Sequence, residues 1–401
     1  MKKLTFLLLV LMLMTFCVFG CSNDNAAETK STVKVAFIAP LSGANALEGQ
    51  TALNCFSLAV DEANAADNLN VTIEVVAVDD AGNTETGLLA AQELVKKGEV
   101  MAVCGHWNSP VASATVPVFK KAGLPLLLWA ASETTLTSAE NYPYVTRIFP
   151  TNNQVNRSLV GYLVDKLALS KVYIVSDDTD YGQENTTALE GALAIKNLQA
   201  VGKTTISADA TDFSEQLAAI AALDVQAIYF GGGAAQAGLF KKDAEAAGLD
   251  VYFCGIYYSV AHNFIENAGT KAAEGSLLMK PDVELIKKER GLEFLASYAE
   301  AGYAEPLGSF SVYAYDAGLV MVQAIKILTA EGKTIDPANM ATAIANSTTQ
   351  GVWGTTTFDQ TGQVVSPAFS VYVVQDGAWM LLSDSEYADG TRTFVEKKTA
   401  P

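Results

Sequence analysis

Short β-branched runs alternate with longer segments of helical period along this chain, and that rhythm is the mark of βα units in a parallel sheet. Residues 33–39 form an apolar run that ends in Pro40-Leu41-Ser42-Gly43, a strand followed by a turn. Leu53, Phe56, Val60 and Ala63 then recur three or four residues apart, giving one apolar helical face. Residues 71–78 read as the next strand, closed by Asp79-Asp80. A helix over 84–97 leads to a strand over 100–104, and a helix over 110–121 leads to a strand over 124–130. After Arg147-Ile148-Phe149-Pro150 the alternation starts again, with helices over 155–168, 184–197, 213–222 and 235–247 and strands over 171–176, 225–230 and 251–254. Two blocks of one plan predict two similar α/β lobes.

Beyond Gly275 the rhythm changes. Residues 276–280 read as extended, three helices follow over 287–301, 309–328 and 336–345, and strands over 355–358, 369–374 and 379–382 flank turns at Asp359-Gln360-Thr361-Gly362 and Asp376-Gly377. A β-rich tail after helices predicts that the chain returns to a lobe begun earlier. No internal linker is long or Gly/Ser-rich, so the lobes meet through short strand-like connections, a geometry suited to hinged closure. With 401 residues, half of them hydrophobic, the chain has material for two cores.

The N-terminus carries Lys2 and Lys3, an apolar run over 4–19, and Gly20-Cys21 before a polar stretch, the layout of a secretory signal. That run falls short of the roughly 20 residues of a spanning helix. Val18-Phe19-Gly20-Cys21 resembles the bacterial lipobox, with Cys21 as the lipid-bearing first residue of the mature chain, although Phe19 is bulkier than that pattern usually carries. Plain secretion is the alternative. Residues 1–20 are thus expected to be a signal peptide and 21–32, small and polar, a flexible tether. The formal charge is −18, and loss of Lys2 and Lys3 with the signal takes it to −20. Phosphate backbones and anionic membrane surfaces repel such a chain, which argues against a nucleic-acid partner. Of the remaining cysteines, Cys55, Cys104 and Cys254 each lie in apolar stretches and read as small buried residues, the alternative being a Cys55 to Cys104 bridge. No cysteine pair has metal-ligand spacing, and His106 and His262 are the only histidines, so no metal site is expected.

In open α/β sheets ligands sit beyond the carboxyl ends of strands, where helix N-termini present amides. The first loop of that kind is Gly105-His106-Trp107-Asn108-Ser109-Pro110, with Ser109 placed as an N-cap and Pro110 at the first helical position. Such a helix tip offers free N–H groups and a hydroxyl to a carboxylate; an ordinary capped helix start is the alternative. The second loop, 129–135, brings Ala130 and Ser132, and the third, 176–182, brings Tyr181 beside Gly182. Gly231-Gly232-Gly233 lacks the spaced G-x-G-x-x-G order, so no nucleotide cofactor is expected. No P-loop, H-E-x-x-H or G-x-S-x-G occurs, and a hydrolytic triad would have to draw on His106 or His262. His106 reads as a hydrogen-bonded structural or cleft-lining residue and His262 as a helix-surface residue. Nothing in the chain argues for an enzyme.

At these loops the sequence resembles the bacterial leucine/isoleucine/valine-binding proteins, the substrate-binding family of branched-chain amino acid ABC transporters. The matching stretches are 35–43, Asp79-Asp80, Gly105-His106 with Ser109, Ala130-Ala131-Ser132, Asp180-Tyr181-Gly182 and Ala273-Glu274-Gly275, spread over nearly the whole mature chain. The resemblance implies a type I periplasmic-binding-protein fold, two doubly wound Rossmann-like lobes joined by three hinge crossovers, here near 146–151, 275–281 and 352–357. Lobe 1 is then 33–148 plus 278–353, and lobe 2 is 149–277 plus 354–390. It also implies a ligand carboxylate held by the Ser109 hydroxyl and by groups at Ala130 and Ser132, with Tyr181 closing from the other lobe.

Two departures stand out. Where family members often carry an acid for the ligand ammonium, this chain has Gly255-Ile256-Tyr257-Tyr258. An unpaired ammonium in a closed cleft costs several kcal/mol, so either Glu48, Glu133 or Asp180 substitutes or the ligand lacks that charge. Trp107, Tyr257 and Tyr258 supply either an aromatic wall for a larger ligand or interlobe packing. Gly82 or Asn83, and Asn108, stand where the family's usual disulfide would be. The expected ligand contacts are therefore Trp107, Asn108, Ser109, Ala130, Ser132, Tyr181, Gly233 and Tyr257. The protein expected is a lipid-anchored, extracytoplasmic monomer that gives a small carboxylate to an ABC transporter permease. Its ligand is an amino acid, branched-chain or aromatic, or else an aromatic acid or amide; a sensor module for a membrane receptor is the alternative.

Overall fold

The computed structural model describes residues 30–66, 68–256, 263–281, 285–365 and 367–394. The expected signal peptide, Cys21, Tyr257, Tyr258 and His262 lie outside them. Strands β1 (Ser31–Ala39), β2 (Val71–Asp79), β3 (Val100–Cys104), β4 (Leu126–Leu128) and β5 (Val145–Arg147) form a parallel sheet in the order β2-β1-β3-β4-β5. Helices α1 (Ala46–Ala65), α2 (Thr84–Lys97) and α3 (Ser109–Ala122) follow its first three strands. Local chemistry sets their ends: the Asn83 side chain accepts from the amides of Glu85 and Thr86, and Gly98, at φ 62°, takes the left-handed turn that closes α2.

The second block runs α4 (Asn152–Asp165), β6 (Val172–Asp177), α5 (Asp180–Ile195), β7 (Gly202–Ile206), α6 (Ser214–Ala221), β8 (Ala227–Phe230), α7 (Ala234–Ala246), β9 (Tyr252–Ile256), α8 (Phe264–Ala268), α9 (Thr270–Ala273) and β10 (Leu277–Lys280). Three helices follow, α10 (Glu289–Ala301), α11 (Ser311–Ala330) and α12 (Pro337–Ala345), then β11 (Thr349–Gln350), β12 (Thr355–Thr356), β13 (Ser370–Gln375) and β14 (Ala378–Leu381). The second sheet has the order β14-β13-β10-β9-β8-β6-β7, parallel except where β13 pairs antiparallel with β10 and β14.

Each sheet is covered on both faces, which is why its strands read as nearly continuous apolar runs. One face of the first sheet packs Phe37, Trp129 and Ile148 against Phe56 of α1 and Tyr313 and Ile325 of α11, so helices from late in the chain complete a core begun at residue 33. The other face packs Ile38, Val103 and Leu126 against Ala91 of α2 and Phe119 of α3. The second sheet has one core around Ile174, Tyr229 and Val373 and another around Phe230, Phe253 and Phe264. Helix α11 is long and apolar enough to cross a bilayer, but most of it is buried in the first lobe. It lies so close to α1 that a Cβ on Gly318 would stand 2.8 Å from Ala59 Cβ and 2.9 Å from the Phe56 carbonyl. Cys55, Cys104 and Cys254 are buried free thiols, not a bridge, and burial pushes Cys55 and Cys254 up to about 12.

Two crossings fall later in the chain than the sequence suggests. Residues 278–280 pair with Ser370–Tyr372 of β13 and so stay in the second sheet. The stretch before β13 stays with the first: Arg147 N donates to Gly362 O at 2.8 Å, and Val364 N donates to Arg147 O at 3.0 Å. The third crossing therefore follows Val364 rather than 352–357, because the end of β5 offers backbone partners to the returning chain.

Candidate functional site

A cleft of about 890 Å³ opens between the lobes at the carboxyl ends of the strands. The first lobe contributes Trp107, Asn108 and Ser109 after β3 and Ala130, Ser132, Glu133 and Thr134 after β4; the second contributes Asn152 from α4, Asp180, Tyr181 and Glu184 from α5, and Gly233 ahead of α7. Seven of the eight expected contact residues thus line one cavity, and Tyr257 lies outside the described residues. Glu133 and Asp180, two of the three acids considered as partners for a ligand ammonium, line it; Glu48 does not.

The helix after β3 starts one residue earlier than expected. Asn108 is its N-cap and makes no side-chain cap bond, Ser109 is already helical, and Pro110 follows. Freed from capping, the Ser109 hydroxyl oxygen accepts from the amides of Ser132 (3.2 Å) and Glu133 (3.1 Å), stitching the two cleft-lining loops together. Its own O–H remains to donate. The Asn108 side chain donates to the Gly82 carbonyl at 3.1 Å, so a hydrogen bond ties the segments where the family's disulfide would. Two buried polar atoms of this wall, Trp107 Nε1 and Asn108 Oδ1, have no hydrogen-bond partner among the described residues. Leaving such a group unmatched costs about 1–3 kcal/mol.

On the opposite wall Tyr181 is in the first turn of α5, not in a loop. Thr179 caps that helix by accepting from Gly182 N at 3.1 Å, which starts it four residues before the expected 184. One turn on from Tyr181, Glu184 reaches the same cavity. Its Oε1 accepts from the amide and hydroxyl of Thr134, both at 3.3 Å, and its Oε2 accepts from Asn152 Nδ2 at 2.9 Å. These Thr134 bonds cross from lobe to lobe. Burial raises the Glu184 carboxyl, while the donors from Thr134 and Asn152 pull the other way. The sequence reading missed Glu184; the signal available was its i+3 spacing from Tyr181, hidden by the late helix start. Gly233 N donates to the buried Asp177 carboxylate at 2.9 Å, and a Cβ on neighbouring Gly232 would stand 2.5 Å from that carboxylate, so no side chain fits there.

Behind the first-lobe wall lies Arg147, fully buried. Its Nη1 donates to the carbonyls of Ala131 (3.1 Å) and Glu133 (2.5 Å), its Nη2 to Thr137 Oγ1 (2.7 Å) and its Nε to Gln363 Oε1 (2.7 Å). Gln363 Nε2 in turn donates to the Phe149 carbonyl (3.1 Å) and Gln154 Oε1 (3.0 Å), so one guanidinium links the cleft loop to two of the crossings. Burial lowers Arg147 to about 9, opposed by Glu184 and Glu133, and it stays charged at neutral pH. His106 does not line the cleft. It is buried with Nδ1 2.9 Å from Asp80 Oδ2 and Nε2 2.8 Å from Thr115 Oγ1, a structural role for the Gly105-His106 motif.

Two doubly wound lobes, short crossings and an interlobe cleft at the strand ends define the type I periplasmic-binding-protein fold. The chain belongs to the periplasmic binding protein family, whose profile matches residues 32–378. It is 26% identical over 353 residues to the Leu/Ile/Val-binding protein of Escherichia coli (strain K12), covering 88% of this chain and 92% of that one. Among solved structures, it is similar to the branched-chain amino acid transporter substrate-binding protein LivJ from Streptococcus pneumoniae in complex with isoleucine, with TM-score 0.70 and 25% identity over 87% of this chain and 98% of that one. A solute-binding protein of an ABC transporter from R. palustris, in complex with benzoate, matches the fold with TM-score 0.69 and 23% identity over 88% and 96% of the two chains.

Proposed function

We propose that this protein is an extracytoplasmic substrate-binding protein, anchored through a lipid on Cys21, that captures a small carboxylate in its interlobe cleft and presents it to an ABC transporter permease. The observation that carries this is a cavity with hydroxyls, helix N-termini and an aromatic ring supplied by both lobes, on a fold whose relatives include the Leu/Ile/Val-binding protein. In this reading Ser109 and Ser132 hold the carboxylate, Tyr181 covers it from the second lobe, and Trp107, Asn108, Ala130 and Gly233 shape the rest. A volume of about 890 Å³ lies within the range of small-molecule sites and leaves room for the lobes to close further. Ligand contacts made only in the closed form would shift the population toward it. The function is binding without bond chemistry, performed as a monomer.

The ligand favoured is an amino acid, by likeness to the Leu/Ile/Val-binding protein; the benzoate-bound R. palustris structure keeps an aromatic acid as second reading. A thermal-shift panel of amino acids, aromatic acids, amides and short peptides tests the function, because a ligand that binds only the folded state raises its melting temperature. Failure of every compound to raise it overturns the proposal.

A further inference from the structure

We propose that Glu184 is the residue with which the cleft reads a positive charge on its ligand, so that the site selects carboxylates bearing an ammonium over plain carboxylates. The inference deepens the binding function proposed above and rests on it.

Among the described residues the cleft wall holds three carboxylates, Glu133, Asp180 and Glu184, and no Lys, Arg or His. Arg147, behind the wall, makes four hydrogen bonds, to Gln363, Thr137 and the carbonyls of Ala131 and Glu133, and none of them goes to a lining carboxylate. Arg147 acts through space on Glu184 and Glu133, but one guanidinium behind three carboxylates leaves the described wall net negative, which a simple anion such as benzoate must overcome and a zwitterion need not.

Among the three acids, geometry separates the roles. The Glu133 side chain is taken by its neighbours, accepting from Ser113 Oγ at 2.7 Å and from Thr135 Oγ1. Asp180 is exposed to water, which weakens any pairing it makes. Glu184 is half-buried, one helical turn from Tyr181, and its Oε1 is held only by two long bonds from Thr134 across the cleft. An ammonium from the ligand makes shorter, charge-assisted bonds to the same oxygen. Asn152 keeps Oε2 fixed meanwhile, so the carboxylate is aimed before the ligand arrives. The opposite wall is complementary, with the Ser109 hydroxyl as a donor for the ligand's carboxylate.

The experiment is calorimetry on the full chain with each of the twenty L-amino acids, benzoate and 4-hydroxybenzoate, then the 2-hydroxy acid of the tightest amino acid, on wild type and Glu184→Gln. The wild type should bind an amino acid at least about 30-fold tighter than its hydroxy acid and than either benzoate, the value for losing one partner of a buried charge pair. Glu184→Gln should weaken the amino acid by a similar factor and leave the hydroxy acid within about threefold. The hydroxy acid separates lost charge recognition from impaired closure or folding, which would weaken both ligands alike. Equal loss of both ligands, an unchanged amino-acid affinity in the variant, or a benzoate as the tightest ligand overturns the role of Glu184 while binding itself stands. Absence of binding by every compound sinks both proposals.

Discussion

Replacing Arg147 by Met tests whether the buried guanidinium holds the ligand-facing loop. The change keeps most of the stem's volume and removes four hydrogen bonds. Thr137 Oγ1 already lies 3.3 Å from Gln363 Oε1, so those two groups can satisfy each other. The carbonyls of Ala131 and Glu133 lose the guanidinium they shared, at about 1–3 kcal/mol each. Returning the guanidinium to water in the unfolded state no longer counts against folding, and that offsets part of the loss. The net expectation is destabilisation of about 3 kcal/mol, read as a lower urea midpoint at unchanged slope at pH 7. Because the loop carries Ser132, ligand affinity should fall about tenfold or more in the same variant. Arg147→Lys, which keeps charge without the planar fork, should fall between. A loss below about 1 kcal/mol with unaltered affinity would refute the role assigned to this network.

Three further outcomes are expected. Tyr181→Ala should weaken binding by calorimetry with little change in melting temperature, whereas Ser109→Ala should weaken binding and also lower the melting temperature, because the amides of Ser132 and Glu133 lose their acceptor; unaltered affinity removes that residue from the site. Gly318→Ala should destabilise the fold by about 1–3 kcal/mol in urea even though alanine is the better helix former, because its Cβ meets Ala59 and Phe56 in α1; a stabilised variant contradicts that close packing. Asp316 is buried, accepts the amides of Val352 and Trp353 at 2.8 Å each, and is raised by burial from 3.8 to about 7. The native state then holds this proton where the unfolded chain has released it. The group's contribution is full below about pH 4 and is lost as pH rises toward 7. Urea melts from pH 4 to 7 should show Asp316→Asn losing less stability over that window than wild type, and parallel curves would count against it.

The βα rhythm was legible because both sheets are buried on both faces, so most strands announce themselves as apolar runs. The strands that escaped are those where this signal fails. β7 is an edge strand with Lys203 and Thr205 outward, and β5 has three residues only. The tail strands β13 and β14 were readable from their turn, since Asp376 (φ 54°) and Gly377 (φ 81°) supply the two left-handed residues a tight hairpin needs. At the cleft, the loops after β3 and β4 could be located from strand ends alone. Glu184 could not, because its place depends on where Thr179 starts a helix, and the Arg147 network could not, because Gln363 lies 216 residues away.

Neither lobe is completed by one continuous stretch, although the core around Val103 and Phe119 is drawn wholly from residues 36–145. The core around Phe37 needs Tyr313 and Ile325, and the sheet that begins with β6 is finished by β13 and β14. A ribosome that has made the first 280 residues has therefore released neither lobe complete. β10 would end as a bare edge, and the apolar face over β1 would await α11. Such a polypeptide leaves an unpaired strand edge and an uncovered apolar face until its last third is made. For the extracytoplasmic protein proposed above this late completion is useful, since a chain whose lobes are unfinished is still thin enough to thread a membrane channel.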